Sequence, residues 1–110
     1  MNLVEISEKL KNLEGIFPGE LSIMRGALAA EYYALNDQLM TILMKKPEAW
    51  QKIRYSGEVK SDTAAERAWQ RTEEGKLETI LRMQLKMIEK MSAAVKTRID
   101  VLIGESHNQF

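Results

Sequence analysis

Between Thr79 and Ile99, five cations, Arg82, Lys86, Lys90, Lys96 and Arg98, stand against a single acid, Glu89. Arg82, Lys86 and Lys90 recur at every fourth position, so on a helix they form one row of like charges. These repel mildly, and an array of phosphates or an acidic partner relieves that repulsion. The pattern points to phosphate contact. Arg54 and Lys60, set among Trp50, Tyr55 and Trp69, add secondary contacts of the kind that stack bases. The competing explanation is a solvated basic face partly balanced by Glu78, Glu89 and Asp100, with the aromatic residues forming a small core under a loop.

Other chemistries lack parts. The chain has no cysteine and one histidine, His107, placed in a polar tail, so familiar zinc sites and Ser-His or Cys-His nucleophile pairs cannot be assembled. Glu66, Glu73, Glu74 and Glu78 resemble an acidic helical row that holds magnesium. However, Arg67, Arg71, Lys76 and Arg82 are interleaved with them, and Glu78 to Arg82 has the favourable i to i+4 orientation for a local pair. Gly75-Lys76 lacks both the upstream glycine and the following Ser or Thr of a phosphate loop. The expectation is a binding protein with no catalytic residue, no metal and no cofactor.

The elements that must carry these residues are helical. In a chain of 110 residues, 45% apolar and 29% charged, one all-α domain over residues 1–110 is expected. Leu3, Ile6, Leu10 and Leu13 form one stripe of a short helix in residues 1–15, ended by Gly15 in a left-handed cap. Pro18 opens a second helix over 18–46, in which Leu21, Met24, Leu28, Tyr32, Leu35, Leu39 and Ile42 keep a three-four alternation until Pro47. Residues 47–61 read as a connector with a turn at Tyr55-Ser56-Gly57. Asp62 or Thr63 then caps a long helix over 62–103, Thr63 with Glu66 forming a capping box, and Gly104 opens a polar tail over 104–110. Gly75 is the one weak point of the long helix, marking a bend or a close approach.

Unbroken, that last helix is roughly 60 Å long, against about 35 Å for a compact globule of this size. Its apolar face, which includes Leu77, Ile80, Leu81, Met87, Ile88, Met91, Val95 and Leu102, spans more than a hairpin partner covers. The expected architecture is therefore an elongated antiparallel helical hairpin assembling as a homo-oligomeric bundle. Leu77, Ile80, Gln84, Met87, Ile88, Met91, Val95 and Leu102 lie at its interface. Gln84 and Arg98 project into that face and need partners, and in bundles such residues set register. Met83, Met87 and Met91 edge the same face, which gives a rival reading: a protein-only interaction module that inhibits a host enzyme or assists assembly.

Sixteen Lys plus Arg balance sixteen Asp plus Glu, so attraction to nucleic acid must come from local arrangement, and neutrality favours self-association. Glu5, Glu8, Lys9 and Lys11 interrupt the apolar N-terminal segment and no run has the length of a membrane span, so a cytoplasmic protein with no membrane partner is expected.

Arg54, Lys60-Ser61-Asp62, Trp69, Thr72-Glu73-Glu74-Gly75-Lys76 and Glu89-Lys90-Met91-Ser92-Ala93-Ala94-Val95-Lys96-Thr97-Arg98 together resemble small helical proteins encoded by bacteriophages and prophages. The layout, a Tyr-Gly connector leading into a long helix that ends in Ser-Ala-x-x-Lys-Thr-Arg, is similar to the recombination mediator proteins of T-even-type phages over residues 54–102. The resemblance implies a ring-like oligomer in the host cytoplasm that binds single-stranded DNA and helps load a recombinase. A neutral chain departs from the basic surface such a role implies.

Overall fold

The computed structural model describes residues 1–108, with side chains to Glu105. Every regular element in that range is helical: α1 (Leu3–Leu10), a 3-10 turn (Leu13–Gly15), α2 (Pro18–Arg54), α3 (Asp62–Arg71) and α4 (Glu73–Asn108). The contacts fall into two units, Ala34–Leu85 and Met1–Tyr33 with Lys86–Phe110.

In the first of these, the end of α2 is gripped by α3. Lys46, Trp50 and Arg54 recur at every fourth residue. Lys46 Nζ and Trp50 Nε1 each lie 3.0 Å from the Glu66 carboxylate, and Arg54 Nε lies 2.9 Å from Asp62. Later residues of α2 meet earlier residues of α3, so the two run antiparallel. This row explains why α2 continues past Pro47, where the periodicity had ended it. A proline inside a helix costs about 3 kcal/mol through its missing N–H and its clash with the preceding turn. Three anchors to α3 on the turns around it offset that cost, and the helix runs to Arg54. The connector shrinks accordingly. Gly57 makes the turn with φ +87°, the left-handed region that glycine enters without penalty.

The long helix expected over 62–103 is two helices. Ser61, not Asp62 or Thr63, caps α3, its hydroxyl accepting from Ala64 N at 3.1 Å, and Glu66 turns to Lys46 and Trp50 instead of closing a capping box. The chain breaks at Thr72, which is extended (φ −71°, ψ 160°). The Thr72 hydroxyl donates to the carbonyl of Trp69 at 2.6 Å and accepts from Gly75 N at 3.0 Å, closing α3 and starting α4. Gly75 packs against the end of α3 so tightly that a Cβ there would lie 1.9 Å from Trp69 O. Leu35, Leu39, Ile42, Ala65, Trp69, Leu81 and Leu85 form the core of this unit.

In the other unit, α1 is capped by Asn2, whose side chain accepts from Glu5 N at 2.9 Å, and it ends at Leu10. Gly15 does not take the left-handed cap expected of it and lies in the 3-10 turn. Lys9 pairs with Glu20 in the first turn of α2. Tyr32 meets Glu89, while Pro18, Leu21 and Ser22 share a groove with Ile99, Leu102 and Ile103, so α2 and α4 run antiparallel here. Ile6, Ile16, Leu21, Met24, Leu28, Ile88, Met91 and Val95 are buried between them. Gly104 does not stop α4: nothing lies within 4 Å of a Cβ placed there, and only its modest propensity cost opposes the helix. The reading of His107 as a tail residue lies outside the described side chains.

Candidate functional site

Of the four acids that could have held a metal, Glu66 and Glu78 are built around a cation of the chain itself, and Glu73 and Glu74 are exposed. Lys46 Nζ sits 3.0 Å from Glu66 and 3.1 Å from Glu78. Glu78 is 8% exposed, and its carboxylate also accepts from Trp69 Nε1 and from Arg82 Nε, each at 3.0 Å. Burial alone would raise the pKa of Glu78. The hydrogen bonds from Arg82, Lys46 and Trp69, with the charge of Lys46, outweigh it and hold the carboxyl below its ordinary value. Burial likewise pulls Lys46 down, and the bonds and charges of Glu66 and Glu78 outweigh it, so its pKa is raised. Every oxygen of this network has a donor, which suits it to locking α2, α3 and α4 of its unit together. Among the described residues, no group of three or more His, Cys, Asp or Glu side chains could hold a metal ion.

The basic residues expected at nucleic acid fall into different surroundings. In the Ala34–Leu85 unit, Arg82 pairs with Glu78 yet keeps a half-exposed side chain, Arg54 pairs with Asp62, and Lys60 is exposed. Trp69 is 1% exposed and Trp50 half-buried, so the tryptophans belong to the core and its edge, while Tyr55 is exposed with Arg54 5.7 Å from its ring. In the other unit, Lys86, Lys90 and Lys96 are exposed and form no ion pair among the described residues. Arg98 is half-buried, and its Nε is enclosed without a hydrogen-bond partner among those residues.

The residues expected at an oligomer interface divide in the same way. Ile88, Met91 and Val95 are at most 8% exposed and are taken up by the chain's own core, a correction to the breadth assigned to the free face. After the break at Thr72, α3 turns back onto part of that face, with Trp69 donating to Glu78, and α2 covers more of it. Leu77, Ile80 and Met87 remain 42–49% exposed, and Gln84 and Leu102 are half-buried.

Sequence reasoning passed over Arg25 and Tyr33. They lie on α2 beside Ala29 and Tyr32, and with Glu89 and Ser92 of α4 they line an open groove of about 360 Å³. The Tyr32 and Tyr33 rings meet edge to face, 6.3 Å apart at 86°, and Tyr32 Oη donates to Glu89 at 3.3 Å. The available signal was the spacing of Arg25, Ala29, Tyr32 and Tyr33, which shares one helical face next to the apolar seam. Among known proteins, no family model matches this chain, and no curated protein or solved structure is similar to it.

Proposed function

We propose that this chain is a non-catalytic, phage-type accessory protein that binds single-stranded DNA and a protein partner, such as a recombinase, in recombination or replication. It acts in the host cytoplasm as a helical-bundle homo-oligomer. The observation that carries the DNA reading is the pair Lys86 and Lys90, exposed one turn apart on α4 and free of ion pairs among the described residues. Two neighbouring unpaired ammonium groups repel, and a phosphate backbone laid along them neutralises both and releases its counterions. Lys96 adds an exposed cation on an adjoining face of α4, and Arg82, Arg98, Arg54 and Lys60 are secondary contacts. Exposed Leu77, Ile80 and Met87 supply the apolar stripe for self-association.

The test is a fluorescence-anisotropy titration of a labelled oligothymidylate at low salt. Wild type binds, and the double variant Lys86→Glu, Lys90→Glu loses at least tenfold in affinity. Absence of wild-type binding at low salt ends the reading. The rival, a protein-only module, is favoured by Met83, 66% exposed beside Leu77 and Ile80. It predicts no DNA affinity at any salt concentration together with loss of partner capture in Met83→Glu.

No helix among the described residues is long and apolar enough to cross a membrane.

A further inference from the structure

The groove between α2 and α4 in the Met1–Tyr33 and Lys86–Phe110 unit combines three features, of which the basic row has only the cation. It offers an aromatic face: Tyr33 is 69% exposed, and its ring is braced edge-on by Tyr32. It offers a carboxylate: Glu89 is held by the Tyr32 hydroxyl at 3.3 Å, which leaves it acceptor capacity for a ligand. It offers a cation, Arg25, which forms no ion pair among the described residues. Ala29 and Ser92, both small, lie between the two ends and leave the floor open.

The antiparallel register sets the spacing. Tyr32 faces Glu89, so two turns back along α2 and two turns on along α4, Arg25 comes level with Lys96. Arg25 lies in the groove roughly 10 Å along the helices from the carboxylate, and Lys96, outside the groove's lining, stands level with it on the α4 face that carries Glu89. Cations at one end, and an aromatic face beside a carboxylate at the other, match the phosphate and the base of a nucleotide.

We infer that this groove binds a single nucleotide with a guanine base, stacked on Tyr33, read by Glu89 and held at its phosphate by Arg25 and Lys96. The base choice follows from donor counting. An ionised carboxylate only accepts, through two oxygens side by side. Guanine alone presents two adjacent donors, N1–H and the 2-amino group, on its pairing edge. Adenine and cytosine place an acceptor beside their amino group, and uracil and thymine flank one N–H with two carbonyls. An unstacked base in a single strand exposes that edge for such contact. The inference builds on the single-strand reading and names a subsite for it, on residues other than Lys86 and Lys90.

The experiment follows the tyrosine ring signals by NMR while GMP, AMP, CMP and UMP are titrated in turn into the full chain. Tyr55, exposed in the other unit, is the internal control for indiscriminate stacking. Saturable shifts of Tyr32 and Tyr33 with GMP are expected, with Tyr55 unmoved and the other nucleotides about tenfold weaker. Glu89→Gln, which still accepts from Tyr32, reduces GMP to the level of UMP, and Tyr33→Ala weakens all four. Unmoved Tyr32 and Tyr33 signals, or equal affinity for the four nucleotides in wild type and Glu89→Gln alike, overturn the inference. If oligothymidylate binds through Lys86 and Lys90 while GMP leaves these rings unmoved, the inference fails and the single-strand reading stands. If GMP binds as described while oligothymidylate does not bind, the nucleotide groove stands and the single-strand reading fails.

Discussion

Replacing Gly75 with alanine sets two physical effects against each other. Helix propensity favours alanine by about 1 kcal/mol in a helix interior. Packing opposes it: an added Cβ would lie 1.9 Å from the carbonyl oxygen of Trp69, 2.7 Å from its carbon and 2.9 Å from Gln70 Cα. Close C–H···O contacts have a carbon-to-oxygen distance of about 3.3 Å or more, so the backbone must open by more than 1 Å. The carbonyl that must move accepts from both the amide and the hydroxyl of Thr72, at 2.9 and 2.6 Å, and Trp69 itself donates to Glu78.

Overpacking alone costs about 1–3 kcal/mol, and loosening the Thr72 cap costs about 1 more. After the propensity gain is subtracted, the expected net effect is a destabilisation of about 1–3 kcal/mol, or a fall of roughly 5–20 °C in Tm for a domain of this size. Urea unfolding followed by far-UV circular dichroism and tryptophan fluorescence measures it. Gly26→Ala and Gly104→Ala serve as opposite-sign controls. Both lie in helices with nothing within 4 Å of the added Cβ, so each is expected to gain up to about 1 kcal/mol. A Gly75→Ala protein as stable as wild type, or more so, would refute the claim that α4 begins against the end of α3.

Glu78 has a pKa lowered from 4.5, so its contribution to stability is complete above that value and is lost as pH falls through the lower folded-state pKa. Lys46 is raised from 10.5, so its contribution is complete below that value and is lost as pH rises through the higher folded-state pKa. Stability measured by urea titration across pH is expected to lose this pair's contribution only outside that window. Glu78→Gln should lower the neutral plateau by about 2 kcal/mol and blunt the acid limb, whereas an unchanged acid limb would assign it to other carboxylates. For self-association, light scattering of Leu77→Glu, Ile80→Glu should report a smaller particle than wild type with unchanged helicity. A wild-type chain that stays single at high concentration would remove the oligomer from the proposed function.

The helical class was legible because the apolar residues of α1 and α2 keep a strict three-four spacing, and a seam of that kind is its own evidence. What misled was local chemistry overruled by tertiary contact. Pro47 is a correct stop signal on propensity, but the Lys46, Trp50 and Arg54 row to α3 ties the helix down on both sides of it. The boundary at Thr72 was missed: Thr72-Glu73-Glu74 has the usual opening of a helix, a capping residue followed by two acids, but helix-forming residues on both sides made one continuous helix the simpler reading. Gly75 was singled out for a bend or a close approach, and the close approach is what it provides. The lysines of α4 were legible as a row from spacing alone, whereas their freedom from pairing was not. Arg82 sits in the same row and is held by Glu78, a difference that depends on where Lys46 and Trp69 place that carboxylate.

Neutral net charge sets the scale of any DNA affinity more than it decides whether there is one. Among the acids near α1, Glu8 and Glu20 are engaged by Lys11 and Lys9. On α4, Glu89 carries the Tyr32 hydroxyl, so Lys86, Lys90 and Lys96 meet solvent uncompensated by ion pairs among the described residues. Three phosphate contacts imply a slope of about −2 in log affinity against log salt for a single strand. Raising salt from 50 to 200 mM should then weaken binding roughly twentyfold, and Lys90→Gln should flatten the slope by about 0.7. Affinity that holds constant over that range would mean that no row of phosphates lies on these lysines, whatever else the oligonucleotide touches.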